Sequence, residues 1–67
     1  MDNINQQIVK LLSLGMTQKD VSNHLKQEGV TPCSLSIIEK RLKLMKKEYK
    51  AKTLFHLAII LKRKKII

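Results

Sequence analysis

Four lysines recur at helical spacing in the second half of the sequence, and this spacing could hold a polyanion. Lys40, Lys43, Lys47 and Lys50 are three or four residues apart, so on a helix they lie along one face. Ammonium groups arranged in this way can neutralise successive phosphates of a nucleic-acid backbone. Solubility alone does not require four cations on one helical face, so the pattern favours phosphate or base contact over a solvated face.

The positive charge of the chain is confined to one half of it. The 67 residues carry a net charge of +9. Residues 40–67 contain eleven Lys or Arg and one acid, which is +10, whereas residues 1–39 contain three Lys and four acids, which is −1. A near-neutral platform joined to a cationic helix is typical of modules that bind polyanions. A nucleic acid is therefore the first partner to consider.

Other chemistry has little support in the sequence. Cys33 is the only cysteine, which excludes an intramolecular disulfide, and His24 and His56 form no motif with it. There is no Gly-rich phosphate loop and no carboxylate pair in a motif. We therefore expect no enzyme activity, no cofactor and no metal site. A lone cysteine and no signal-peptide pattern fit a reducing, cytoplasmic location.

The periodicity of apolar residues predicts an all-α, compact four-helix domain in which the second and third helices form a helix-turn-helix. The expected helices cover about residues 4–14, 18–28, 35–50 and 54–64 of a single domain spanning 1–67. The expected inward positions are Ile4, Ile8, Leu11 and Leu12, then Val21 and Leu25, then Leu35, Ile38, the stem of Arg41, Leu42, Met45 and Tyr49, and finally Leu54, Leu57, Ala58 and Leu61.

Side chains able to cap a helix precede each predicted helix. They are Asp2 or Asn3, Thr17, Ser34 or Ser36, and Thr53. Ser36 and Glu39 form a Ser-x-x-Glu capping box, whereas a cap at Ser34 would admit Leu35 to the first turn. The sequence leaves these two alternatives open.

Several stretches of the chain share their pattern with a known family. Residues 8–17 form an apolar helix followed by Gly, any residue and Thr, and an apolar pair four residues apart comes next. The third helix has apolar positions spaced seven and then four residues apart, and a short connector and a last helix occupy residues 51–61. The positions concerned are Gly15, Thr17, Val21, Leu25, Ile38, Met45 and Tyr49. Over residues 4–61 the chain resembles the helix-turn-helix DNA-binding domain of the bacterial LuxR-type (GerE-like) regulators.

The chain departs from this family at several positions. Asn5 and Asp20 replace the family's acidic residues early in the first two helices, and Arg41 stands where the family usually has His. The connection through residues 28–33 is about six residues longer than in the family. Family members commonly carry a sensory domain before this module. The resemblance therefore implies that the regulatory input is missing or comes from a separate sensory chain.

The resemblance implies transcription regulation through double-stranded DNA, with the third helix in the major groove. Glu39, Lys40 and Lys43 match the family positions that approach base edges, where Lys donates to guanine and Glu accepts from cytosine. Contacts to phosphates are expected from Ser36, Lys47, Lys50 and Thr17. For Thr17, simple capping of the second helix is at least as well supported.

The last helix is the candidate contact for a homodimer. In the family this helix is the usual dimer contact, and here Phe55, Ile59 and Ile66 could supply an apolar patch for a homodimer. The basic run Lys62–Lys65 suits the negative pole of the helix dipole, and we interpret it as a solvated run.

Two other functions fit parts of the sequence. The chain could be a protein-interaction adaptor that binds a larger complex through Ile37, Leu44, Phe55 and Ile59. It could also bind a membrane surface through residues 54–67, and we rank this last because the apolar residues of that segment are needed to close the core. The apolar run 54–61 is far shorter than the ~20 residues that cross a bilayer.

Overall fold

Each helix begins at a residue whose side chain accepts a backbone N–H. The computed structural model describes residues 1–67 and contains α1 Asn3–Ser13, α2 Gln18–Gln27, α3 Leu35–Glu48 and α4 Leu54–Arg63. The N-caps are Asp2, Thr17, Ser34 and Thr53. The structure settles the start of α3, because the hydroxyl of Ser34 accepts from the N–H of Ile37 at 3.3 Å and Ser36 lies inside the helix.

The four helices also end alike. Two bonds close each end, as in α3, where the N–H of Ala51 donates to the carbonyl of Lys46 at 2.8 Å and that of Lys50 to Lys47 at 3.3 Å. This Schellman pattern requires one left-handed residue after the helix. The left-handed residues are Gly15, Gly29, Lys50 and Lys65. Each predicted helix runs one residue too far because its C-cap residue was counted as helix, and α3 runs two too far because Lys50 was counted as well. The predicted start of α1 is one residue late.

One apolar core holds the helices together, and none of its buried residues is polar or charged. The buried side chains are Ile8, Val9, Val21, Leu25, Ile38, Leu42, Met45, Leu57 and Leu61. One predicted inward position is wrong and one was missed. Val9 is buried although it was not among the expected inward positions, because α1 contacts all three other helices and a wider arc of it is covered. Leu35 is 38% exposed because α3 meets the core only from Ile38 onward.

The helices α1 and α4 run antiparallel. The side-chain amide of Gln6 donates to the carbonyl of Ile66 at 2.6 Å, which places the start of α1 beside the end of α4. The end of α1 and the start of α4 meet at a groove that Leu12 and Leu54 both line. The fold is therefore an all-helical domain of 29 × 20 × 19 Å with no strand, which confirms the predicted fold class. None of its helices has the length and apolar character that crossing a bilayer requires.

Candidate nucleic-acid interface

One long side of α3 is free of packing. Ile38, Leu42 and Met45 face the core, whereas the residues predicted to contact DNA are exposed. These are Ser36, Glu39, Lys40, Lys43 and Lys47 on the helix and Lys50 in the turn that follows it. We call these six residues the α3 surface. The predicted division of α3 into an apolar side and a cationic side therefore holds.

The cations of the α3 surface have no acidic partners. The chain contains fourteen Lys and Arg, and only Arg41 lies within 4.0 Å of a carboxylate. Two of the five acids are engaged elsewhere, since Asp2 caps α1 and Asp20 caps α2. The positive charge of Lys40, Lys43 and Lys47 is therefore uncompensated within the molecule and available to a bound anion.

A groove of about 310 Å³ brings three helices together beside these lysines. Gln18 at the start of α2 and Leu54 at the start of α4 line it, together with Glu39, Lys43 and Lys46 of α3. Gln18 and Lys46 were not among the predicted site residues. Lys46 directly precedes Lys47 in the sequence, and no sequence signal pointed to Gln18.

Thr17 is exposed and caps α2. Its hydroxyl oxygen accepts from the N–H of Asp20 at 3.1 Å, and its own N–H donates to the carboxylate of Asp20 at 3.1 Å. The backbone and side chain of Thr17 lower the pKa of the Asp20 carboxyl below its usual value. The capping role of Thr17 is thus established.

A tight turn connects α3 to α4 and carries Lys50 of the α3 surface and one further lysine, Lys52. Lys50 has φ 56°, in the left-handed region, and Lys52 is held by its N–H, which donates to the Nδ1 of His56 at 3.1 Å. The hydroxyl of Thr53 accepts from the N–H of His56 at 3.0 Å. Both lysines are exposed on this fixed turn. Lys52 extends the cationic surface beyond the predicted residues.

Arg41 is the one cation of α3 that faces inward. Its Nη1 donates to the Oδ1 of Asn5 at 2.8 Å and lies 3.6 Å from the Oδ2 of Asp2. The pKa of the Asp2 carboxyl is lowered, first by the N–H of Ile4, which it accepts, and further by the N–H of Asn5 and the charge of Arg41. The predicted inward stem of Arg41 is confirmed, with 26% of the side chain exposed.

The connection between α2 and α3 packs against the domain. It spans residues 28–34, which confirms a connection longer than a tight turn. The hydroxyl of Ser22 in α2 donates to the carbonyl of Cys33 at 2.6 Å, and Val30, Pro32 and Cys33 are half-buried. The start of α3 is therefore held in place by α2.

A second groove, of about 460 Å³, lies between α1 and α4 and is mostly apolar. Phe55, 78% exposed, and Ile59 form its α4 side, as expected for residues off the inward stripe. Its lining is Leu12, Ser13, Gly15, Leu54, Phe55, Ala58, Ile59 and Lys62. Ile66 is not part of this patch, because it is half-buried and packs against the core.

In three comparisons with known proteins, no family model, no curated protein and no solved structure matches this chain. The resemblance to LuxR-type regulators therefore stays a prediction that rests on the sequence pattern. No group of three or more His, Cys, Asp or Glu is placed to hold a metal ion.

Proposed function

We propose that this chain binds double-stranded DNA through the α3 surface and acts in transcription regulation rather than in catalysis. One observation carries the proposal. The helix whose inner side is the core presents three lysines outward, a fourth follows in the turn at Lys50, and no acid of the chain pairs with any of them. Such a surface attracts a polyanion and suits a groove lined by phosphates.

The dimensions of α3 are compatible with the major groove. Its 14 residues span about 21 Å at 1.5 Å per residue. A helix is about 10–12 Å across with its side chains, and the major groove is about 12 Å wide. With α3 in the groove, Glu39, Lys40 and Lys43 are the residues proposed to contact base edges.

The residues around them are proposed to hold the sugar-phosphate backbone. Ser36 and the free N–H groups of the first turn of α3 would meet one strand, and Lys47 and Lys50 the other. Thr17, with Gln18 beside it, would contact a phosphate from the start of α2. Lys46 and Lys52 are added to this set because of their position in the groove and on the turn.

The proposal extends to partners of the protein. A homodimer through α4 would cover the exposed ring of Phe55 and the groove beside it, and a dimer reads two half-sites. We also propose a bacterial, cytoplasmic regulator. These points rest on the resemblance and, for location, on the lone Cys33.

A protein-interaction adaptor is the second candidate function. The specific observation in its favour is the apolar groove between α1 and α4, together with Leu44, 58% exposed, on α3. An adaptor needs no affinity for DNA. Retention of the protein on a duplex or heparin column at moderate salt therefore separates the two candidates.

Selection of duplexes from a random pool tests the sequence-specific part of the proposal. The wild-type chain should enrich a defined sequence, and Lys40→Ala/Lys43→Ala should retain duplex binding but lose most of that preference. Lys10→Ala/Lys26→Ala removes the same charge from exposed positions of α1 and α2 and should keep the preference. Equal enrichment by the first variant and the wild type would remove Lys40 and Lys43 from base reading.

A further inference from the structure

A second cationic surface lies at the C-terminal end of α4. Lys62, Arg63, Lys64 and Lys65 are all exposed, and none of them lies within 4.0 Å of a carboxylate. We call these four residues the α4-end surface. Its charge is as uncompensated as that of the α3 surface, although only two of its residues belong to the helix itself.

The backbone of the α4-end surface is fixed rather than frayed. The N–H of Lys65 donates to the carbonyl of Lys62 at 3.0 Å, and the N–H of Ile66 donates to the carbonyl of Leu61 at 2.9 Å. The carbonyl of Ile66 accepts from the side chain of Gln6 in α1 at 2.6 Å, and Ile66 and Ile67 pack against the core. This turn is bonded to α4 on one side and to Gln6 of α1 on the other. The interpretation of these residues as a simple solvated run does not account for both sets of bonds.

Lys65 occupies a position that glycine fills without strain. Its φ is 58°, in the left-handed region, where a side chain costs a non-glycine residue about 1–2 kcal/mol. The two earlier helices of the chain use Gly15 and Gly29 at the equivalent position. A lysine kept at a strained position next to three other cations points to a role for its charge.

The contacts of α1 place the α4-end surface toward the inner side of α3, away from Lys43. Arg41 reaches from the inner side of α3 to Asn5, in the first turn of α1. The same turn of α1 holds Ile66 through Gln6, so the α4-end surface is on that inner side. At 100° per residue, Lys43 and Lys47 project about 160° and 120° away from Arg41 on α3.

We propose that the α4-end surface binds the phosphate backbone of a second DNA duplex, so that one chain bridges two duplexes. This inference rests on the proposed function of the α3 surface. A duplex docked on α3 is stiff, with a persistence length of about 150 base pairs. It does not curve around a body about 20 Å thick to reach the α4-end surface. The phosphates that meet the α4-end surface therefore belong to another duplex or to a distant segment of the same DNA.

A capture experiment tests the bridging. One duplex is fixed to beads, the protein is bound to it, and retention of a second, fluorescent duplex is measured at low salt. Wild-type protein should retain the second duplex. Lys64→Gln/Lys65→Gln should reduce that retention on the order of tenfold, because two phosphate contacts are lost, while binding to the first duplex and its salt slope stay unchanged.

Two matched variants separate the two surfaces. Lys19→Gln/Lys26→Gln removes the same charge from α2 and should keep the capture, normalised to the first duplex bound. Lys43→Gln/Lys47→Gln should weaken binding to a single duplex, and if it does not, the proposed function fails together with the bridging.

Other outcomes overturn the bridging alone. Capture that survives Lys64→Gln/Lys65→Gln would assign the second duplex to the α3 surface of a second chain. A fall of about two in the single-duplex salt slope would place the α4-end surface on the first duplex. The surface would instead be assigned to a membrane by two results together. The wild type captures no second duplex, and it binds vesicles containing anionic lipid that Lys64→Gln/Lys65→Gln does not bind.

Discussion

Arg41 and Asn5 are joined by a hydrogen bond of 2.8 Å between Nη1 of the guanidinium and Oδ1 of the amide. The two residues are 36 positions apart in the sequence, and the bond links the middle of α3 to the first turn of α1. Asp2 adds its charge to the same guanidinium at 3.6 Å. These contacts add to the burial of Ile38, Leu42 and Met45, which sets the side of α3 that faces inward.

Replacing Arg41 should therefore cost stability without removing a phosphate contact. We expect Arg41→Met to lower the free energy of unfolding by about 1 kcal/mol, since one half-buried hydrogen bond and a partly exposed ion pair are lost. Urea denaturation measures this change. The salt slope of duplex binding should stay the same for the folded variant, and a slope lower by about one would show that Arg41 contacts a phosphate.

Lys50 combines backbone strain with a proposed phosphate contact. Lys50→Gly should stabilise the fold by about 0.5–1 kcal/mol, because glycine adopts φ 56° without a clash, yet it should lower the salt slope by about one. Denaturation and duplex titration on the same samples give both values.

Lys65→Gly is the matched control, since Lys65 has nearly the same φ of 58°. It should stabilise the fold to a similar extent and leave the single-duplex slope unchanged. If both variants lower the slope equally, the assignment of Lys50 and Lys65 to different surfaces is wrong.

The capping box of α2 should make stability depend on pH in the acidic range. The pKa of the Asp20 carboxyl is lower in the folded chain than its usual value, because it accepts the N–H of Thr17. A carboxyl with a lowered folded pKa adds stability above its unfolded pKa, about 3.9, and that contribution is lost as the pH falls through the folded pKa. Asp20→Asn should therefore lose less stability than the wild type as the pH falls below the unfolded pKa of about 3.9, measured by thermal unfolding. Equal losses would show that Asp20 does not contribute.

Two residues three positions apart on α3 test the corrected core. Ile38 is fully buried, so Ile38→Ala should cost about 2–5 kcal/mol, enough to unfold much of a domain this small. Leu35 is 38% exposed, and Leu35→Ala should cost less than about 1 kcal/mol. Circular dichroism melts of the two variants distinguish the buried position from the exposed one, and similar losses would contradict this placement.

Local signals in the sequence were enough to place the four helices. The caps at Thr17 and Thr53 and the glycines 15 and 29 mark helix ends through contacts within a few residues, so the bounds were predicted to within two residues. The burial of Val9 was missed because periodicity on one helix does not tell how many neighbours surround it.

The sequence predicted only the part of the candidate site that lies on a single helix. The exposed lysines of α3 follow from their spacing, which is a property of a single helix. Gln18 and Lys46 meet in a groove formed by three helices, and no spacing rule connects positions on different elements. The left-handed turn at Lys50 was missed because glycine is the usual signal for such a turn.

The salt dependence of duplex binding tests the central claim most directly. The logarithm of the binding constant should fall linearly with the logarithm of the salt concentration, by about 0.9 for each phosphate neutralised. We expect a slope lower by about two for Lys47→Gln/Lys50→Gln, the two lysines proposed to contact phosphates, and an unchanged slope for Lys10→Gln/Lys26→Gln. Equal slopes for both variants and the wild type would contradict binding through the outer side of α3.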